Sequence, residues 1–234
     1  MADWFDFKGV RSTSLGVYVT EYPPAIVPEE RAEFKPIPGR NGYLTLLEGA
    51  HVYEDITLAI GCFVRDLSRL DEIAAWLRGP GDLILGNDEG RCYRARAVNQ
   101  IELKTVVRAR KARTFDAVFR CKPFRYEATP DVLTLYTGKT LTNPGSIPAY
   151  PTLEITGSGD ANITIGGRGI VLTGVNGTIT VDCEAMTAYQ GTESVGGSIA
   201  LSDGEWPYLD VGDTAISWTG NITRVVLHPN WRYL

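Results

Sequence analysis

Hydrophobic and polar positions alternate one by one along much of this chain. In 52–64 (VYEDITLAIGCFV), Ile56, Leu58, Ile60 and Cys62 fall on one face, with Thr57, Ala59, Gly61 and Phe63 on the other. A period of two predicts a half-buried strand. The same alternation runs through 115–124 (FDAVFRCKPF), with Phe115, Ala117, Phe119 and Cys121 on one face and Asp116, Arg120 and Lys122 on the other. Between them, 83–98 reads as a hairpin turned at Asn87, Asp88 and Gly90, residues that suit tight turns. One segment changes period. In 66–81 (DLSRLDEIAAWLRGPG), Leu67, Leu70, Ile73, Ala74 and Leu77 form a helical stripe. Asp66 or Ser68 can cap its start, Asp71 and Glu72 suit its positive end, and Arg78 its negative end. Gly79 and Pro80 stop it. Trp76 sits at the edge of the stripe, as a core residue first and an interface anchor second.

The second half shows shorter apolar runs and frequent turn signals. Strand candidates lie at 152–156, 161–165, 198–201, 207–211, 214–218 and 222–228. In 169–182 (GIVLTGVNGTITVD), Asn176-Gly177 predicts a tight hairpin turn. Many short strands without a helix predict a β-sandwich or jelly-roll-like unit. The fold class expected is mainly β: an N-terminal β-structure with one packed α-helix, followed by a C-terminal β-sandwich.

Where the halves meet is read from charge. Residues 1–142 hold 20 Lys+Arg against 19 Asp+Glu, a balance of +1, and residues 143–234 hold 3 against 9, a balance of −6; together they give the net −5. The shift falls on the proline-rich stretch 143–151 (NPGSIPAYP), which reads as a stiff connector. Domains are therefore expected at 1–142 and 143–234. The other reading is a long turn within one sandwich.

Composition adds few constraints. At 44% apolar and 22% charged residues the chain resembles an ordinary globular protein. No apolar run reaches the roughly 18 residues of a membrane span, so no membrane insertion is expected. MADWFDFKGV has no basic region followed by an apolar stretch, which predicts synthesis and folding in a cytoplasm. Cys62, Cys92, Cys121 and Cys183 are widely spaced and read as buried free thiols.

Catalytic patterns are missing. His51 and His228 are the only histidines, and no serine sits in G-x-S-x-G. Acids flank Cys183 in VDCEAM, raising its thiol pKa. A glycosidase needs only two carboxylates, and spacing does not identify a pair. No enzyme activity, cofactor or metal is expected. GGRG (166–169) lacks the spacing and lysine of a phosphate loop and reads as a turn. KTVVRARKAR (104–113) has five basic residues without an acid or interleaved aromatics. A solvated tip or a face toward a protein partner suits it better than nucleic acid, and no sequence-specific nucleic acid partner is expected. HPNWR (228–232) matches the H-x-N-x-R spacing of galectin sugar sites, but Pro229 cannot join a ladder, and the match reads as a coincidence.

Taken in order, several stretches resemble the distal tail protein (Dit) family of long-tailed siphophages. They are WFDFKGVRSTSLGVYV (4–19), IPGRNGYL (37–44), YEDITLAIGCFV running into LDEIAAWLRGPGDLIL (70–85), FDAVFRCKPFRYE (115–127), NPGSIPAYPTLEITGSG (143–159) and the final WPYLDVGDTAISWTGNITRVVLHPNWRYL (206–234). The resemblance spans the whole chain, and its specificity lies in the order of weak elements. It implies a structural hub: a homo-hexameric ring at the virion tail tip, assembled in the host bacterial cytoplasm. The tail tube protein would meet one face and a tail-associated fibre or lysin the other, with receptor-binding proteins as further partners and a central channel for DNA. It also implies a galectin-like second domain, with no room for long arm insertions.

A ring needs heterologous contacts repeated around an axis. Candidate contact residues are Phe5, Phe7 and the turn Pro38, Gly39, Arg40 and Gly42, where the glycines permit a sharp turn and Arg40 offers a planar fork of donors. The competing reading places Phe5 and Phe7 in the core and Arg40 in solvent. A second class of function, a carbohydrate-binding module for host-surface recognition, would use Trp206, Tyr208, Trp218 and Trp231 as stacking platforms.

Overall fold

The structure, a computed structural model, describes residues 3–47, 49, 51–98, 104–105 and 113–234. Most of KTVVRARKAR, residues 106–112, lies outside the described residues, as do their side-chain contacts. The chain divides into two units, Met1–Ala128 with Leu234, and Thr129–Tyr233.

In the first unit the strongly alternating segments become the central strands. β6 (Ile56–Val64) and β10 (Arg113–Glu127) pair antiparallel, Phe115 opposite Cys62 and Phe119 opposite Leu58. Around them lie β1 (Phe5–Phe7), β2 (Val10–Arg11), β3 (Val17–Glu21), β7 (Pro80–Leu85) and β8 (Arg91–Ala97). The sheet order is β2-β1-β7-β8-β10-β6-β3, with the short β9 (Lys104–Thr105) also on β10. Ile60, Cys62, Phe115, Ala117, Phe119 and Cys121 are all at most 2% exposed, on the face the alternation assigns to the core. The helical stripe covers that face. A 3-10 turn, Leu67–Arg69, is capped by Asp66, which accepts from the Ser68 N–H at 2.9 Å, and α1 (Leu70–Trp76) follows. Trp76 stacks on Phe5 at 5.3 Å between centroids and donates its indole N–H to the Phe7 carbonyl at 2.8 Å.

A separate two-stranded sheet, β4 (Ala32–Pro36) and β5 (Tyr43–Leu47), stands apart from this core.

The second unit differs from expectation in strand length. Its strands are β11 (Leu133–Leu135), β12 (Lys139–Asn143), β13 (Thr152–Ile165), β14 (Arg168–Asp182), β15 (Thr187–Gln190), β16 (Glu193–Ser194), β17 (Ile199–Leu201), β18 (Gly212–His228) and β19 (Arg232–Tyr233). The sheet runs β11-β18-β13-β14-β15-β16, with β12 on β18 and β17 on β14. Pairs of predicted strands, 152–156 with 161–165 and 214–218 with 222–228, are each one long strand. Asn176-Gly177 does not reverse the chain. It lies inside β14, opposite Ser158 and Gly157 of β13. A Cβ at Gly157 would lie 2.5 Å from the Asn221 carbonyl oxygen. Glycine here lets the β18 backbone come close beside a register shift between Thr156 and Gly157. The reversal falls at Gly166 and Gly167, both at positive φ, between Ile165 and Arg168, so GGRG is the hairpin turn. Residues 207–211 form only one bridge, Leu209 to Ala149.

The proline-rich stretch lies within one unit. Residues 129–142 sit in the second unit, where β11 and β12 pair with β18. NPGSIPAYP is a packed loop of that unit. Asn143, Ile147 and Ala149 are at most 3% exposed. The Asn143 amide donates to the carbonyls of Ile147 (3.1 Å) and Leu209 (3.2 Å), and its oxygen accepts from Gly145 N–H (2.8 Å). Prolines lower the number of buried donors such a loop must satisfy.

Candidate assembly surface

The sequence-predicted contact residues separate in the structure. Phe5 and Phe7 are 0% exposed, with edge-on contacts to Phe119 at 6.0 and 5.1 Å. They are core residues, because β1 lies under α1 and its two phenyl rings fill the space beneath Trp76. Pro38, Gly39, Arg40 and Gly42 are exposed in the turn joining β4 to β5. Gly39 and Gly42 take φ of 77° and 83° with open space where a Cβ would stand, so the glycines serve backbone geometry. The Arg40 side chain has no partner among the described residues.

The hairpin carrying this turn is the most exposed apolar element among the described residues of the first unit. Its register pairs Ala32 with Leu47, Phe34 with Thr45 and Pro36 with Tyr43. Directly paired residues share a face, so Phe34, Tyr43 and Leu47 form one stripe, 63%, 68% and 58% exposed. The other face carries Leu44 and Leu46 beside the Glu33–Lys35 ion pair at 3.1 Å. The foot is anchored by the Glu30–Tyr53 bridge, by Arg31 N–H to the Val52 carbonyl (2.9 Å), and by the Arg31–Glu54 ion pair (3.0 Å). An isolated two-stranded hairpin is marginal in water. The sequence reading found the turn and missed the stripe. Its signal is the alternation in AEFKP and YLTLL either side of a glycine-bearing turn.

On the first sheet, β8 and β10 border a groove of about 520 Å³ lined by Asp55, Pro80–Asp82, Arg94–Arg96, Val98 and Arg120–Lys122. Pairing of β10 with β8 slips between Cys121 and Arg125, a bulge that opens the ladder beside it. Arg96 lies directly opposite Arg120. Arg120 is paired with Asp55 at 2.7 Å, and Arg96 has no partner among the described residues.

In the second unit, HPNWR is turned inward. Arg232 is 4% exposed and donates Nε to the Pro148 carbonyl at 2.7 Å, with Nη2 on the same oxygen. The Asn230 amide donates to the Tyr150 carbonyl at 3.0 Å, and His228 lies 3.5 Å from Glu154. These side chains fasten the last strands to 148–154. Trp231 is buried, Trp206 and Trp218 are half-buried against the core, and Tyr208 lies 3.5 Å under the Arg168 guanidinium. Arg168 also reaches Asp210 at 3.3 Å.

The four cysteines are buried and free. Burial pushes the thiols of Cys62, Cys121 and Cys183 up to about 12 and that of Cys92 to about 11, with nearby aspartates adding to each shift. No group of three or more metal-binding side chains occurs among the described residues. Among them no helix is long and apolar enough to cross a membrane.

No family model matches the chain, and no curated protein matches it in sequence. Among solved structures it matches the SPP1 Dit protein, described as a paradigm of hub adsorption apparatus in Gram-positive infecting phages. The TM-score is 0.74, over 97% of this chain and 99% of that chain, at 14% identity. This chain has the fold of that Dit protein. The resemblance drawn from the sequence is met at the level of fold, in a mainly β chain with one α-helix. With 97% of this chain covered, the likeness extends over both units.

Proposed function

We propose that this chain is a distal tail protein of the Dit family, a non-enzymatic hub at the tip of a long non-contractile phage tail. Six copies form a ring through their first units. The tail tube protein meets one face and the tail-associated fibre or lysin meets the other, leaving a channel for DNA. The second unit is a galectin-like sandwich, and the particle is assembled in the cytoplasm of the host. The observation that carries this reading is the anchored hairpin with its exposed Phe34–Tyr43–Leu47 stripe, in a chain whose fold is that of a hub protein. An apolar stripe of this kind marks a protein contact. Pro38, Gly39, Arg40 and Gly42, at the hairpin's tip, belong to that contact.

The test is light scattering across a concentration series, with negative-stain images of the same samples. A discrete hexamer with a central hole is expected. Replacing Phe34 and Leu47 together by serine should leave a folded monomer of 25.6 kDa. A wild-type chain that stays monomeric up to its solubility limit, alone and with tail tube protein added, refutes the ring.

A further inference from the structure

Asn-Gly occurs twice in this chain, at Asn41-Gly42 and Asn176-Gly177, and the structure puts the two pairs in opposite settings. We propose that Asn41-Gly42 is a site of spontaneous covalent modification, the deamidation of Asn41 through a cyclic imide closed by the Gly42 nitrogen. The reaction needs only water, and the inference stands apart from the ring reading.

The step is a displacement at the side-chain amide. The Gly42 backbone nitrogen gives up its proton and attacks Asn41 Cγ. An N–Cγ bond forms, the amide nitrogen leaves as ammonia with that proton, and a five-membered imide closes. Water then opens the imide at either carbonyl. Opening at Cγ leaves aspartate; opening at the main-chain carbonyl leaves isoaspartate, with the backbone rerouted through Cβ. Nothing is oxidised or reduced. Three conditions favour the attack: a backbone N–H without an acceptor, a following residue without a Cβ to crowd it, and an asparagine whose ψ is free to leave the extended range.

Asn41-Gly42 meets all three. Both residues are exposed and lie between β4 and β5, past the last paired residues Pro36 and Tyr43. The turn at Ile37 to Arg40 closes first, with the Arg40 N–H on the Ile37 carbonyl at 3.2 Å. Gly42 follows at a φ of 83° with open space where a Cβ would stand. Neither Asn41 nor Gly42 has a hydrogen-bond partner among the described residues. Arg40 places a guanidinium next in sequence to the Asn41 oxygen on which negative charge develops, and a nearby cation stabilises such charge. The second pair is held differently. Asn176 and Gly177 are paired with Ser158 and Gly157 inside β14. The Asn176 carbonyl also accepts from Gln190 Nε2 at 2.6 Å. Turning the Asn176 backbone into position for attack would break that ladder. The product at position 41 adds a negative charge beside Arg40, at the tip of the hairpin.

The experiment incubates the full chain in mildly alkaline buffer. The Phe34→Ser, Leu47→Ser double variant is treated alongside, so that assembly does not cover the turn. Samples taken over time are cut with an acid protease, since low pH halts imide formation. The peptides carrying positions 41 and 176 are followed by mass spectrometry, with aspartate and isoaspartate separated by chromatography. Asn41 should convert about tenfold faster than Asn176 or more, a barrier difference of about 1.4 kcal/mol. Its rate should rise with pH, and isoaspartate should appear among the products. In urea the two rates should converge. Asn41→Gln, which cannot close the five-membered ring, should stay intact at that position. Conversion in the double variant alone supports the site and shows the turn covered in the wild-type assembly. An Asn41 that persists in both proteins, equal rates at the two positions in the folded chain, or aspartate formed without isoaspartate overturns the proposal. These three outcomes leave the ring standing, because the ring is tested by oligomer mass.

Discussion

Arg232→Met tests whether NPGSIPAYP is a packed loop or a connector. The side chain is 4% exposed, and two of its N–H donors converge on the buried Pro148 carbonyl. Its guanidinium also lies 4.7 Å from the Tyr150 ring centroid. Hydrogen bonds to a charged group contribute about 1.5–3 kcal/mol, and two donors on one oxygen share that value. Stacking at a partly buried ring adds about 0.5–1 kcal/mol. Against this stands the desolvation of a buried cation, several kcal/mol in principle, which methionine removes along with the bonds. Methionine also keeps much of the volume, so little cavity is left. What remains is a buried carbonyl without its donors, a loss of about 1–3 kcal/mol. We expect the second unit to lose about 2 kcal/mol. The assay is urea unfolding followed by tryptophan fluorescence, since Trp206, Trp218 and Trp231 all lie in that unit. A connector would not register the change. An Arg232→Met midpoint equal to wild type would refute the argument that this arginine holds 143–151 in place.

Two further outcomes follow from the same structure. The four thiols should be silent toward an aromatic disulfide reagent near neutral pH and all react after unfolding, because each is buried with its pKa pushed up to about 11 or 12. The folded chain holds these protons more tightly than the unfolded chain, where the ordinary value is 9.0; their contribution to stability is complete below that value and lost as pH rises toward 12, so denaturant midpoints should fall across that alkaline window. Limited proteolysis before Asp131, in the exposed segment 129–132, should yield two protected fragments divided where the units divide, whereas early cutting within 143–151 would contradict the packed loop.

What was legible in the sequence was what depends on local period. Ile56 to Cys62 and Phe115 to Cys121 alternate because their strands bury one face, and the structure places those faces in the core. The helix was legible from its stripe and its Asp66 cap. Glycine and proline were misread, because each punctuates a chain in more than one way. Gly157 and Gly177 looked like strand ends, yet they sit opposite one another inside one ladder. The prolines of 143–151 looked like a linker, yet they line a loop held by Asn143 from within and by Arg232 from the far end of the chain. No local pattern reports a partner 84 residues away. Of the proposed contact surface, the turn was legible and the stripe was not. The turn at Gly39 and Gly42 announced itself by composition. The buried state of Phe5 and Phe7 depended on Trp76, which lies above them from another element.

The hairpin shows most plainly how packing and assembly divide the work in this chain. Its residues are arranged as carefully as any core strand, with Phe34, Tyr43 and Leu47 brought to one face by register. No described residue covers that face. Among the described residues its strands pair only with each other. A free monomer gains nothing from such a face and carries an aggregation risk. On the opposite face the charged Glu33–Lys35 pair sits beside Leu44 and Leu46 and limits that risk. A stripe left bare on one side, guarded on the other and rooted by Arg31 and Glu54 has the form of a surface kept for one partner at one orientation.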